Sequence, residues 1–237
     1  MYVSFYKSYY FCCMTDLAKI DTTIYLGEIA IHQPVTAFTD FIVTILCFYF
    51  YKTLKMENGK STFYWKYFFL TLSIATLFGG SSHAFFTDHT DKVYKFFWLT
   101  MQLLNGFAVY AAQQATSNSV LLLSQKRTLW NTISAIQLLV FIPSVFIFQN
   151  FTVVSVDMAL GLIPIMIIHF KDSKINPSSK WIAYGILISF LTAVVHFSKF
   201  SLHVYFNYLD IAHLLIMINL SVMFVGVKQK AISSSSL

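Results

Sequence analysis

Histidine, aspartate and serine residues recur inside the apolar stretches of this sequence. The segment FGGSSHAFFTDHTD, residues 78–91, places Ser82 and His83 at the end of one apolar run. Asp210 and His213 lie three residues apart near the start of the last run, so on a helix they share a face. Imidazole nitrogen and carboxylate oxygen are zinc ligands, and a zinc-bound water ionises near neutral pH. These residues therefore indicate a metal site that activates water.

Other ionisable residues interrupt the first, fifth and sixth apolar runs and the approach to the first. Ionisable groups inside apolar spans are functional candidates, because each one is costly to keep there unless it is paired or solvated. Thr36 continues a spacing of four residues that would keep one helix face if the first helix runs through Pro34. The residues of this extended polar cluster are Glu28, His32, Asp40, Asp157 and His196.

Composition identifies the surroundings of these groups as lipid. Of the 237 residues, 57% are hydrophobic and 11% are charged, whereas about 25% of the residues of a soluble domain are charged. The formal charge of +6 does not indicate nucleic-acid binding, because the Lys and Arg residues lie between apolar runs rather than on one face. An integral membrane protein with a single domain follows, and its oligomeric state is not specified by the sequence.

Seven apolar runs are about as long as the 20 residues that a helix needs to cross a bilayer. They predict an all-α membrane protein with seven transmembrane helices. The runs are Pro34 to Leu54, Phe63 to Phe86, Tyr94 to Thr116, Leu129 to Phe148, Phe151 to Phe170, Trp181 to Ser201 and Val204 to Val227.

The distribution of basic residues predicts the orientation of these spans. Most of the sixteen Lys and Arg residues flank the first, third and fifth connections and the C-terminal tail. By the positive-inside rule, the N-terminus lies outside and the C-terminus is cytoplasmic. This gives an extracytoplasmic segment at 1–33, a seven-helix transmembrane domain at 34–228 and a cytoplasmic tail at 229–237.

The N-terminal segment has no continuous apolar core with a small-residue cleavage site, so we do not expect a signal peptide. Met14 is an alternative start to Met1. Cys12, Cys13 and Cys47 lack metal-ligand spacing and receive no role. Four further histidines are expected at the membrane interfaces, at positions 32, 89, 169 and 203.

The candidate residues are predicted to lie at similar depths in the membrane. With a rise of 1.5 Å per residue, six of these groups lie roughly 5 to 14 Å below the outer surface. Gly79 and Gly80, one turn before His83, would let a neighbouring helix approach closely. The sequence therefore predicts one polar layer, formed by Asp40, His83, Asp157, His196, Asp210 and His213.

This layout resembles the alkaline ceramidase and adipoQ-receptor superfamily of seven-helix intramembrane zinc hydrolases. In that superfamily, one histidine of the second helix and a His-x-x-x-His pair of the seventh helix hold zinc, helped by a serine and an aspartate. His83 matches the second-helix ligand and His213 matches the latter histidine of the pair. Leu209 stands at the other histidine position, and Gly79 stands at the serine position.

The resemblance implies a zinc-dependent hydrolase that cuts an amide or ester of a membrane lipid. His83 and His213 would hold zinc, and Asp210 or His196 would supply the missing ligand. Asp210 would also shuttle the proton, with Ser82 as the nearby hydroxyl. Two alternatives stay open: a non-enzymatic proton or small-ligand binding or transport protein that uses Asp40, Asp157 and His196 as relay groups, and a haem protein ligated by His83 with His213 or His196.

Overall fold

The computed structural model describes residues 22–55, 59–86, 88–121 and 123–235. Within these residues, two short strands pair in an antiparallel hairpin and seven α-helices follow. The strands are β1 Ile24–Leu26 and β2 Ile29–Ile31, and the helices are α1 Pro34–Thr53, α2 Gly59–Phe85, α3 Lys92–Ser119, α4 Ser124–Phe148, α5 Phe151–Asp172, α6 Ser179–Ser198 and α7 Tyr208–Ser235. Most of the predicted N-terminal segment, with Cys12, Cys13 and Met14, lies outside the described residues.

The prediction of an all-α fold with seven helices is confirmed. Six of the described helices, all except α3, are long and apolar enough to cross a membrane. This is consistent with an integral, multi-pass membrane protein. The α3 helix is less apolar because it carries buried polar side chains, among them Gln102, Gln113 and Gln114. It packs against α2, α4 and α5, so these side chains meet protein rather than lipid.

The bundle has two ends, which we name by what lies there. Short connections make successive helices antiparallel, and α1 also packs against α7. The β-hairpin lies at one end, the hairpin end, where α1, α3, α5 and α7 begin. The opposite end, where α7 finishes, is the tail end. Groups near the starts of α1 and α7 can therefore meet at the hairpin end.

The start of the first helix corrects one prediction. Residues 24–31 form the β-hairpin, and Gly27 takes a positive φ of 64° in its turn. The α1 helix begins at Pro34, which lacks an N–H and favours the first helical position. The predicted helical face from Glu28 to Asp40 was therefore wrong, and Glu28 lies exposed in the hairpin.

The hairpin is attached to the bundle by its backbone. The His32 N–H donates to the Ala84 carbonyl at 3.0 Å, and the Gln33 N–H donates to the His83 carbonyl at 3.2 Å. The His32 side chain makes a contact within the same segment, where its Nδ1 lies 3.1 Å from the Thr23 hydroxyl. The segment thus lies against the end of α2 that carries His83.

An aromatic core fills the bundle on the tail side of the first polar groups. Phe50 of α1 stacks on Phe224 of α7 with ring centroids 4.1 Å apart, and its edge meets Phe69 of α2 at 5.3 Å. Phe50 lies ten residues beyond Asp40, about 15 Å along the helix. All three rings are buried, so they pack α1, α2 and α7 against one another on the tail side of Asp40.

Candidate functional site

Two helices deliver the best-connected polar groups at the hairpin end. Asp40 of α1 faces His213 of α7, with 3.3 Å between Asp40 Oδ1 and His213 Nε2. The other imidazole nitrogen, Nδ1, lies 2.8 Å from the Thr39 hydroxyl. Thr36 and Asp210 complete the group, with a hydrogen bond of 2.8 Å from the threonine hydroxyl to Asp210 Oδ1. We call these five residues the His213 cluster.

Donor accounting gives two arrangements of hydrogens in this cluster. The Thr39 hydroxyl has one hydrogen, which it can donate either to the Thr36 carbonyl at 2.9 Å or to His213 Nδ1 at 2.8 Å. When it donates to Nδ1, the neutral imidazole carries its hydrogen on Nε2 and donates it to the Asp40 carboxylate. When it accepts from Nδ1, the contact between Nε2 and Asp40 needs one more proton, on the carboxyl or on the imidazole. The two arrangements differ by one proton at the Asp40–His213 pair.

Asp210 has a structural position at the start of α7. Its Oδ2 accepts from the Asn207 backbone N–H at 2.7 Å, while the Asn207 side chain accepts from the Leu209 N–H at 2.7 Å. This reciprocal pattern is a capping box, which satisfies N–H groups that a helix start leaves without partners. Because Oδ1 accepts from Thr36 of α1, the fully buried Asp210 also joins α7 to α1.

Two glycines of α2 make room for Asp40. A Cβ placed on Gly80 would lie 2.9 Å from Asp40 Cβ and 3.2 Å from the Ala37 carbonyl oxygen. A Cβ on Gly79 would lie 3.5 Å from Asp40 Oδ2, an ordinary contact. The prediction that these glycines allow a neighbouring helix to approach closely is confirmed for Gly80, and that helix is α1, whereas Gly79 has room for a methyl group.

A small cavity leads towards the cluster from the hairpin end. Its volume is about 10 Å³, which is about enough for one water molecule. The polar groups of its wall include those of Thr36, Asn207 and Asp210, and Tyr205 of the α6–α7 connection closes one side. On the tail side, the polar contacts of Asp40 continue through Thr44, whose hydroxyl donates to the Asp40 carbonyl, and end in threonine and serine hydroxyls above the aromatic core.

The other predicted histidines occupy different surroundings. His83 and His196 both interact electrostatically with His213. The His196 ring lies among aromatic rings, with centroids 5.4 Å from Phe151 and 5.6 Å from Tyr208. Ser82 is buried, and its hydroxyl makes no hydrogen bond to the His213 cluster within the described residues.

Asp157 belongs to a separate polar network in the bundle. Gln137 of α4 donates to Asp157 Oδ1 at 2.8 Å and to the Asp157 carbonyl at 2.9 Å. Gln113 of α3 in turn donates to Gln137 Oε1 at 2.8 Å. Although Asp157 was predicted at the depth of Asp40, its carboxylate is bonded to the α3–α4 side of the bundle.

The tail end contains a network that the sequence analysis did not predict. His169, expected at a membrane interface, is fully buried between Thr116 of α3 and Ser179 of α6, each 3.2 Å from one imidazole nitrogen. Ser179 donates to Asp172, and Lys230 of α7 forms an ion pair of 2.8 Å with the same carboxylate. Only the spacing of His169 and Asp172, which puts both on one helix face, could have indicated this network.

The predicted zinc site requires three or more ligands. Two zinc ligands with bonds of about 2 Å in a tetrahedral site are separated by about 3.3 Å, and Asp40 Oδ1 and His213 Nε2 match that spacing. Within the described part of the chain, however, no group of three or more His, Cys, Asp or Glu side chains could hold a metal ion. Asp40 and His213 thus have the spacing of two zinc ligands, but the described residues do not supply a complete ligand set. We therefore assign no catalytic step to a metal.

Comparison at the level of families matches residues 35–232 to DUF6962, described as a family of unknown function. The match covers all seven helices except the extreme end of α7 and the first residue of α1. Neither the curated proteins nor the solved structures contain a significant match to the chain.

Proposed function

Because the chain belongs to DUF6962, a family of unknown function, we propose its function from the His213 cluster. The protein is a multi-pass membrane protein that binds a proton at the Asp40–His213 pair and exchanges it with the hairpin side. The observation that carries this proposal is the contact of 3.3 Å between Asp40 and His213, whose hydrogen bonds can be formed with or without one additional proton. A buried carboxylic acid or imidazolium of this kind is a proton-binding site.

Access from a single side favours binding over transport. The water-sized cavity lies at the hairpin end, between residues that flank the β-hairpin, the start of α1 and the α6–α7 connection. Towards the tail end, the buried rings of Phe50, Phe69 and Phe224 provide no hydrogen-bonding group that could carry a proton further. A proton can therefore enter and leave by the same end.

Replacing Asp40 with asparagine is expected to abolish proton exchange while preserving the fold. The amide of the introduced asparagine can donate to His213 Nε2 or accept from it, but it cannot take up or release a proton. Infrared titration of the purified full chain in lipid nanodiscs should show a titrating buried carboxyl or imidazole in the wild type and lose that change in Asp40→Asn. His213→Gln should lose it as well.

Asp157→Asn is the matched control for this titration. Asp157 is a buried carboxylate in the same bundle, but it is bonded to Gln137 rather than to a histidine. Its replacement should leave the titration of the pair unchanged. If Asp157→Asn removed the titrating band while Asp40→Asn kept it, the proton would belong to the other network and the proposal would fail.

A zinc-dependent hydrolase of membrane lipid amides or esters is the second candidate. The observation that favours it is the spacing of Asp40 Oδ1 and His213 Nε2, together with the electrostatic interaction between His83 and His213. Elemental analysis of the same purified protein separates the two proposals. One zinc per chain that is lost in both His83→Ala and His213→Ala would support the hydrolase, and a metal-free protein with an intact titration would support proton binding.

We also propose that all seven helices span the membrane, with the N-terminus outside and the C-terminus cytoplasmic. The 28 residues of α3 give a length of about 42 Å, more than the roughly 30 Å of a hydrocarbon core. The basic residues concentrate at the tail end, as the positive-inside rule requires of the cytoplasmic side.

Cysteine labelling tests this topology. In a chain with its native cysteines replaced by serine, Lys60→Cys at the tail end should react with an impermeant thiol reagent only after the membrane is permeabilised. Lys92→Cys at the hairpin end should react in intact cells. Both lysines are exposed, so the difference reports the side of the membrane. Labelling of Lys60→Cys in intact cells would reverse the orientation.

A further inference from the structure

A second cavity lies at the hairpin end, away from the His213 cluster. Its volume is about 290 Å³, a size suited to a small ligand or a lipid headgroup. It is formed by the loop before α3, the first turns of α3 and the tight α4–α5 turn. The lining residues are His89, Tyr94, Lys95, Trp98, Gln149, Asn150 and Phe151.

The charges of this cavity favour an anion. Lys95 is exposed, and within the described part of the chain its ammonium takes part in no ion pair. The α3 and α5 helices begin beside the cavity, but Asp91 and Asn150 cap their first N–H groups, and α4 ends there with Gln149 as its C-cap. We therefore assign the attraction for an anion to Lys95, since a lysine ammonium is a common partner of phosphate.

The nearby carboxylates do not line the cavity. Asp91 accepts from the Val93 N–H at 2.6 Å as the N-cap of α3. Asp88 accepts from the backbone N–H and the hydroxyl of Thr90, and these hydrogen bonds hold the pKa of Asp88 below its ordinary value. Both carboxylates are thus engaged by groups of their own loop, and Lys95, whose charge also acts on Asp88, is the lysine that lines the cavity.

A buried glutamine connects two walls of the cavity. In the amide orientation that satisfies both partners, the fully buried Gln102 accepts from the Trp98 indole N–H at 2.7 Å and donates to the Asn150 carbonyl at 3.2 Å. One side chain therefore connects the α3 wall to the α4–α5 turn. Tyr94 stacks on Trp98 with ring centroids 5.9 Å apart, which places two amphipathic rings where a membrane surface would lie.

We infer that this cavity binds the phosphate of an anionic phospholipid headgroup, with Lys95 as the main charged contact. The lipid is favoured over a free anion because exposed apolar side chains flank the cavity. Phe96 follows Lys95 and Phe148 precedes Gln149, and both are more than half exposed. They provide surfaces for the acyl chains of a lipid whose headgroup occupies the cavity.

Binding of a defined lipid tests this inference. The purified full chain is titrated with phosphatidylglycerol in native mass spectrometry, and Lys95→Gln is expected to weaken binding about tenfold, equivalent to about 1.4 kcal/mol. Lys92→Gln is the matched control, because Lys92 is an exposed lysine of the same helix that does not line the cavity. It should leave the affinity within about twofold of the wild type.

Three outcomes would overturn the inference. Equal weakening by the two substitutions, or no weakening by either, would mean that only the general surface charge attracts the lipid. Glycerol 3-phosphate serves as the soluble arm. If it bound in a Lys95-dependent manner while phosphatidylglycerol did not, the cavity would be a site for a free phosphate ester and the assignment to lipid would fail.

Discussion

Replacing Asp210 with alanine is expected to lower the free energy of unfolding by about 3 kcal/mol. The substitution leaves the buried Thr36 hydroxyl and the Asn207 N–H without their acceptor, and each such loss costs about 1–3 kcal/mol. It also removes half of the capping box that begins α7. Thermal unfolding in a mild detergent would show the loss as a lower midpoint.

Glu28→Ala provides the comparison for this substitution. Glu28 was predicted to share a polar cluster with Asp40, but it lies exposed in the β-hairpin. Its replacement should change the unfolding free energy by less than about 0.5 kcal/mol. Asp210→Ala could instead lower the unfolding free energy as little as Glu28→Ala and still abolish the infrared titration of the Asp40–His213 pair. Asp210 would then be a proton-transfer group, as predicted from the sequence, and its capping contacts would be energetically unimportant.

Gly80→Ala is expected to cost about 2 kcal/mol and to disturb the Asp40–His213 pair. The added methyl group would lie 2.9 Å from Asp40 Cβ and 3.2 Å from the Ala37 carbonyl oxygen, so α1 must move away from α2. Overpacking of this kind typically costs about 1–3 kcal/mol. The infrared titration of the pair should shift in this variant, because α1 carries Asp40.

The adjacent glycine offers a matched control with the same chemical change. A methyl group on Gly79 would have its nearest neighbour at 3.5 Å, so Gly79→Ala should fold and titrate like the wild type. The helix propensity of alanine is also better than that of glycine. Equal effects of the two substitutions would show that the close approach of α1 and α2 at Gly80 does not position the pair.

The carboxylate that faces His213 is not the one predicted for the metal site. From the sequence, His213 was predicted to share that site with His83, His196 and Asp210. In the structure, Asp40 lies against His213 Nε2, while Asp210 is bonded to the start of its own helix and to Thr36.

The sequence by itself determined the helices and the depth of the polar residues. Hydrophobic runs are local properties, so six of the seven predicted spans correspond to helices apolar enough to cross a membrane. The position of a residue along its helix fixes its depth, because each residue adds about 1.5 Å. Asp40 and His213 could therefore be assigned to one layer, and Gly80 to a close helix contact, without knowledge of the bundle.

Only the tertiary structure decided which residues of that layer meet. Depth does not specify the rotation of a helix about its axis or the identity of its neighbours, which depend on the packing of the whole bundle. Asp157 thus pairs with Gln137 of α4, and His196 packs among aromatic rings, although both lie near the predicted depth. The β-hairpin likewise precedes the helix that begins at Pro34 and is held by backbone hydrogen bonds to the end of α2. No local pattern specifies these long-range hydrogen bonds.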